Sequence, residues 1–233
     1  LDGFFDCVDV LLDDDGHLFI DIPDFGTALK MGDVSALWEE HVSYFTSEVI
    51  TATLVHYGYE PEEELRYNFS GGTVAVLAKR TGKAGNGGKF ARAAADLAED
   101  AGSYHSKADE YAKALREGLS KASEAGFRIV IYGVGARSCV LVNGLSLGSH
   151  IDFVVDDQEE RQGKFMPGCS LEIRPPWVLA EDLRPTVCLL AVNNENDAKV
   201  TVRVKTLLGD QVIVLTLLSP ADIHKELDRL PQA

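Results

Sequence analysis

From residue 127 to residue 217, short apolar runs alternate with segments of helical character, and this alternation constrains the fold more than any other feature of the chain. Residues 127–132 form an apolar run broken only by Arg128. The glycine turn Gly133-Val-Gly135 follows, and then a helix through Leu141. Residues 150–156, 186–192 and 211–217 are further apolar runs, and Pro220 opens a terminal helix. Strands buried on both faces lack a polar alternation, and strands separated by helices pair in parallel. Residues 126–233 are therefore expected to form a parallel, Rossmann-like α/β sheet. Residues 197–208 fit two periods, because Val200, Val202 and Val204 alternate as in a strand while Val200, Val204, Leu207 and Leu208 share a helical face. Asn193-Asn-Glu-Asn196 after a strand offers a capped turn into a helix, so a helix ending at Gly209 is assigned.

The first part of the chain mixes both kinds of element. Phe4, Phe5, Val8, Leu11 and Leu12 are expected on one face of an opening helix that Asp13-Asp-Asp-Gly16 stops, and residues 17–23 form the next strand. Those three aspartates read as a solvated turn rather than cation ligands, since no bidentate Glu follows at the required offset. A helix capped near Thr46 or Ser47 places Val49, Ile50, Thr53 and Leu54 inward and ends at Gly58. Residues 65–69 and 73–79 read as strands joined by Ser70-Gly-Gly72. Gly82-Lys-Ala-Gly-Asn-Gly-Gly88 has no large apolar side chain and is taken as the linker. Beyond it, Tyr104, Ala108, Tyr111, Leu115 and Leu119 recur at helical spacing, which gives expected parts of 1–82, a helical connector 83–125, and 126–233.

Charge supports two unlike parts. Sixteen acidic and five basic residues precede Ala84, whereas the remainder carries 21 acidic and 17 basic, within a total of −15. This balance leaves no electrostatic footprint for nucleic acid. No segment has the ~18 apolar residues of a membrane span, and no signal peptide is evident, so a cytoplasmic protein is expected. Cys7, Cys139, Cys169 and Cys188 lack metal-ligand spacing and read as buried free thiols. No metal site is expected.

Two motifs carry chemistry on their own residues. Tyr132-Gly-Val-Gly-Ala-Arg-Ser138 follows a strand and opens a helix, the geometry that brings backbone amides close to a phosphate or carboxylate. It lacks the third glycine of a dinucleotide fingerprint, so a tight turn without a ligand and a nucleotide site both stay open. Asp156 ends the following strand, where a dinucleotide fold places its ribose acid, and this gives a nicotinamide-dependent reductase as one reading. Glu40-His41 is a carboxylate–imidazole neighbour pair, suited either to capping a helix or to acid–base work near neutral pH.

The ordered set Tyr132-Gly-x-Gly-Ala-Arg137, Ile151-Asp-Phe-Val-Val-Asp156, Gln162-Gly-Lys-Phe-Met-Pro-Gly168 and a strand ending at Asn193 resembles the C-terminal domain of the sugar C-methyltransferases. Glu40-His-Val-Ser-Tyr-Phe45 is similar to that family's "EHLSYF" motif. Ser70-Gly-Gly-Thr73 is similar to its "HGGS" turn, and Asp15-Gly-His-Leu-Phe-Ile-Asp-Ile-Pro23 to the strand after its "LxPGG" turn. The resemblance implies a truncated S-adenosylmethionine-dependent Rossmann domain followed by a Rossmann-like C-terminal domain facing a nucleotide-linked keto sugar, an activity of deoxysugar biosynthesis.

It also implies that His41 and Glu40 act as acid and base. Substrate contacts would fall to Tyr44, Ser70, Gly71, Gly72, Gly133, Gly135, Arg137, Asp156, Lys164 and Asn193. Where the family has a Tyr two residues before the Glu, this chain has Trp38, which neither donates nor accepts a phenolic proton. The cofactor's glycine loop and ribose acid are not found in the sequence, so its site is expected to be incomplete here and the chain alone inactive. A non-catalytic nucleotide- or sugar-binding module is the alternative reading.

Overall fold

A computed structural model describes residues 1–37, 40–83, 85 and 88–231 of the 233-residue chain. Trp38 and the linker residues Ala84, Asn86 and Gly87 lie outside the described residues. The chain is mixed α/β and forms two compact units, Leu1–Lys30 with Val42–Ser103, and Met31–His41 with Tyr104–Ala233. Met31–His41 thus belongs with residues far along the chain.

The first unit is built on a three-stranded antiparallel sheet. Helix α1 (Asp2–Leu11), strand β1 (His17–Pro23) and helix α2 (Gly26–Met31, which runs on into the second unit) lead to α3 (Ser47–His56). Strands β2 (Tyr59–Tyr67) and β3 (Thr73–Arg80) then form a hairpin, and β1 pairs with the other edge of β3. Thr46 caps α3, its hydroxyl accepting the Val49 amide at 3.4 Å, as the sequence suggests. One face of the sheet buries Val74, Val76 and Ala78 against Phe5, Ile50 and Leu54. The face expected for α1 is narrower than its pattern. Phe5 is buried and Val8 and Leu12 are half-buried, but Phe4 and Leu11 are exposed, because the strands meet only the side of the helix that Phe5 occupies. After the hairpin come α4 (Gly88–Asp96) and α5 (Ala98–Glu124), whose later turns enter the second unit.

In the second unit β4 (Arg128–Tyr132), α6 (Ala136–Gly144), β5 (Phe153–Val155), β6 (Ile173–Arg174), β7 (Thr186–Leu190), α7 (Asp197–Leu208), β8 (Val212–Thr216) and α8 (Ile223–Leu227) follow in order. The sheet order is β6-β5-β4-β7-β8, and every neighbouring pair is parallel. Alternate residues of the central strands serve opposite layers. Ile129, Ile131, Val187 and Leu189 pack with Tyr111, Leu115 and Leu119 of α5 and Leu141 of α6. Val130, Tyr132, Cys188 and Leu190 pack with Val200 and Val204 of α7. Full burial of a side chain such as Leu119 contributes about 1.5–3 kcal/mol, so the amphipathic stripe of α5 is a principal support of the fold. The two-state segment 197–208 is a helix, and Gly209 ends it at φ 67°.

Two sequence expectations need correction. Cys188 is buried, and burial pushes its thiol up to about 12, but Cys139 and Cys169 are only half-buried and Cys7 is exposed on α1, away from the strands. The capped turn expected at Asn193-Asn-Glu-Asn196 also lacks a side-chain cap, because neither Asn193 nor Asn196 makes a capping bond. No described helix is long and apolar enough to cross a membrane, and the described residues contain no cluster able to hold a metal ion.

Candidate functional site at the sheet's carboxyl edge

In a doubly wound sheet, ligands bind where the strand order reverses, outside the carboxyl ends of the strands. Here the reversal lies between β4 and β7, so the turns leaving those strands, Gly133–Gly135 and Val192–Asn196, flank the crevice. The two glycines of the first turn have different tasks. Gly133 has φ 104° and is buried, and a Cβ there would sit 2.8 Å from both the Ala191 carbonyl oxygen and Val192 Cγ1. Gly135 is exposed, and a Cβ there would meet nothing within 4 Å. Of the two, Gly135 alone is open to a ligand; Gly133 is needed so that β4 and the end of β7 can close together.

Asp156 explains how this turn is held. It is 5% exposed; its Oδ2 accepts the Val134 amide at 2.7 Å and Arg161 Nη1 at 3.2 Å, and its Oδ1 accepts the Gln158 amide at 2.8 Å. A ribose diol would have to displace these protein donors, which weighs against the reductase reading. Arg161 also donates to the Val134 carbonyl. Ser138 completes the turn, accepting the Gly135 amide at 2.7 Å. Lys164 is exposed on the loop after β5, which Met166 anchors in the core and Asn143 ties down through the Pro167 carbonyl at 2.9 Å. Asn193 is exposed at the crevice's other wall.

Arg137 does not face solvent. It is 7% exposed, and its Nε donates to the Ser35 carbonyl at 2.8 Å while Nη2 reaches Ser35 Oγ at 3.3 Å and the Ser219 hydroxyl. The segment so gripped carries Glu40 and His41. Glu40 is exposed and His41 half-buried. Burial lowers the His41 pKa, the Glu40 charge opposes this, and the Arg137 charge lowers it further. The imidazole is therefore neutral at pH 7 and able to accept a proton.

The remaining predicted residues lie in the first unit. Ser70, Gly71 and Gly72 form the β2–β3 turn with φ of 51°, 102° and 124°, and the Gly72 carbonyl accepts the Asp24 amide at 3.0 Å. Tyr44 is exposed, its ring 4.9 Å from that of Phe25. The structure thus groups Tyr44 with the Ser70–Gly72 turn around Asp24 and Phe25, and groups Glu40 and His41 with Arg137 beside the crevice.

Sequence reasoning missed Ser35, Asn194, Asp197 and Ser219. Asn194 Nδ2 donates to the Leu218 and Ser219 carbonyls, both at 3.0 Å, so its side chain ties the crevice wall to the segment after β8 instead of capping α7. Among the described residues, Asn194 Oδ1 and Asp197 Oδ1 are buried without a hydrogen-bond partner. The Asp197 carboxyl is pushed up to about 6, first by burial. Its unfolded value lies near ~3.9, so the native state holds this proton more tightly. The resulting stability is fully present below pH ~3.9 and is lost as pH rises through about 6. Asp197→Asn, uncharged throughout, is expected to exceed the wild type by ~1–2 kcal/mol above pH 6, after discounting for partial exposure, and to approach it at pH 4. Denaturant unfolding at the two pH values checks this, and an equal difference at both would contradict it.

Residues 69–207, more than half the chain, match the family model for the C-methyltransferase C-terminal domain. The chain belongs to this family. Its matched region spans the β2–β3 turn, both crevice turns and the loop after β5, and the family points to methyltransferase activity, with a methyl donor implied. No curated protein matches the chain. The family domain does not by itself include Glu40 and His41, which precede the match and join it through Ser35 and Arg137. The named strands of the first unit are all antiparallel, and a carboxyl edge of parallel strands with a glycine turn is found among the described residues only in the second unit.

Proposed function

We propose that the chain serves S-adenosylmethionine-dependent C-methylation of a nucleotide-linked keto sugar. In this reading residues 1–82 contribute to the methyl-transfer domain, 83–125 connect, and 126–233 form the substrate-facing domain of a cytoplasmic enzyme. The observation that carries the reading is the attachment of the Glu40–His41 segment to the family domain beside its crevice, through the Arg137–Ser35 bonds. Methylating a carbon next to a keto group requires removal of its proton, and a neutral imidazole held beside a substrate crevice supplies the base. His41 takes that proton, and Glu40 favours the imidazolium that results. The cofactor supplies the electrophilic methyl. Gly135 leaves room for the substrate's phosphates to approach the turn backbone, and Asn193 and Lys164, both exposed, would contact its polar groups. The open space above Gly135 supports this reading over a turn that serves packing alone.

Gly135→Val tests it. The backbone there has φ −127° and the new side chain meets no protein atom within 4 Å at Cβ, so the fold should lose less than ~1 kcal/mol, a surface-type change. The crevice, however, is filled, and affinity for a nucleoside diphosphate keto sugar, measured by calorimetry, should fall at least ~10-fold, the effect of ~1.4 kcal/mol. Unchanged affinity in the folded variant would remove the crevice from substrate binding.

A further inference from the structure

Resting on that reading of His41, we propose that Arg137 is a positioning residue, which fixes the Glu40–His41 segment to the first turn of α6 rather than contacting substrate itself. A buried guanidinium is costly unless its donors are satisfied, and this one is satisfied by Ser35 and by the Ser219 hydroxyl. Its Nε binds the Ser35 carbonyl at 2.8 Å and its Nη2 the Ser35 hydroxyl at 3.3 Å, so the fork grips backbone and side chain of one residue.

Ser35 is held by two further bonds, and its neighbour Asp33 by another. The Ser35 amide donates to Asp33 Oδ1 at 2.8 Å, its hydroxyl accepts the Ser219 amide at 2.6 Å, and Tyr104 on α5 donates to the Asp33 carbonyl at 3.1 Å. Helices α5 and α6 and the segment after β8 therefore converge on residues 33–35. Ser219 adopts φ 44°, a left-handed conformation that costs a serine ~1–3 kcal/mol and persists only where its surroundings over-determine it. An apolar contact could bury this segment equally well, but it would fix neither direction nor register. A forked donor on one carbonyl and one hydroxyl fixes both. His41 lies six residues beyond Ser35, within ~20 Å of fully extended chain, so the anchor limits where the base can stand. Glu40 and Arg137 are the charged groups that His41 senses, and they act in opposite directions.

The test follows the His41 imidazole by NMR titration of the 233-residue chain, with His41→Gln identifying its signal among the six histidines. Amide exchange at Ser35 is read in parallel. Arg137→Met should raise the His41 titration midpoint, since both the burial and the positive charge that lower it are released. It should also speed Ser35 exchange at least ~10-fold as the anchor opens locally. Arg137→Lys keeps the charge but not the fork, so exchange should quicken while the midpoint rises less. Ser35→Ala, which removes only the hydroxyl contacts, should move both readouts in the same direction should Arg137→Met fail to fold.

In the complete enzyme Arg137→Met should lower kcat ~10²-fold, the scale of a misplaced catalytic group, with KM changed less. Unmoved His41 titration and Ser35 exchange in a folded variant would overturn the proposal. Both readouts moving, while His41→Ala leaves catalysis intact, would leave Arg137 as the anchor and refute His41 as the base.

Discussion

His41→Ala in the complete enzyme is expected to lower the rate of methylation by ~10²- to 10⁴-fold, the contribution of a positioned general base, while substrate affinity changes little. The size of the effect follows from the acidity of the bond to be broken: a carbon next to a ketone does not release its proton to water fast enough for turnover. Burial first, and also the Arg137 charge, lower the imidazole's pKa, which favours the unprotonated form that the proposed role needs. The sign for activity follows. The rate should rise with pH as His41 loses its proton, with a midpoint below the ordinary histidine value. Glu40→Gln removes the opposing influence, so the midpoint should move lower still. A pH–rate profile of kcat/KM on the wild type and both variants checks the set. Retention of wild-type methylation by His41→Ala would assign His41 to the entry of the chain into α3 and nothing more.

Gly133→Ala should destabilise the chain by ~2–5 kcal/mol, the largest effect on stability we expect from a single methyl group. Two costs combine. An alanine at φ 104° bears conformational strain of ~1–3 kcal/mol, and its Cβ lies 2.8 Å from the Ala191 carbonyl oxygen, a backbone atom that moves only with the end of β7. Native domains hold only about 5–15 kcal/mol in total, so much of the margin would be lost. The crevice would also widen, since β4 and β7 meet there. Denaturant unfolding measures the cost, and a loss under ~0.5 kcal/mol would show that the turn adapts freely. Comparison with Gly135→Val is instructive, because the bulkier change at the second glycine should cost the fold less.

These two glycines show what the sequence conveyed and what it concealed. The parallel sheet was legible because strands buried on both faces leave unbroken apolar runs, and Thr186-Val-Cys-Leu-Leu190 looks the same whichever layer each residue serves. The helix from Asp197 was assigned from a capped turn expected at residues 193–196; the helix forms and ends at Gly209, but without a side-chain cap. What each glycine does was not legible, since a left-handed turn packed on a neighbouring strand and an open turn have the same letter. The stripe on α1 was overestimated, because periodicity marks a possible apolar face while tertiary packing decides how much of it is covered.

The site was legible only in part for a related reason. Glu40-His41 and the glycine turn announce themselves locally, but Ser35, Asn194 and Ser219 act through backbone carbonyls and amides distant in sequence. Such bonds leave no spacing pattern. Arg137 was expected to meet substrate from the family resemblance, and its burial against Ser35 could not be inferred without knowing that residues 31–41 pack there. Asp156 was identified by its position at a strand end, yet its carboxylate holds the turn instead of standing open.

The central claim is that the Glu40–His41 segment, joined to the C-methyltransferase C-terminal domain through Ser35 and Arg137, removes a proton from the carbon beside a sugar's keto group. The most direct measurement is exchange of that proton in deuterated solvent with the methyl donor omitted, followed by NMR of the nucleoside diphosphate keto sugar with the complete enzyme. The account predicts deuterium at the carbon that becomes methylated, at a rate at least matching turnover, and its loss in His41→Ala. Enzyme that methylates normally yet shows no exchange in the wild type, or equal exchange with and without His41, would contradict it.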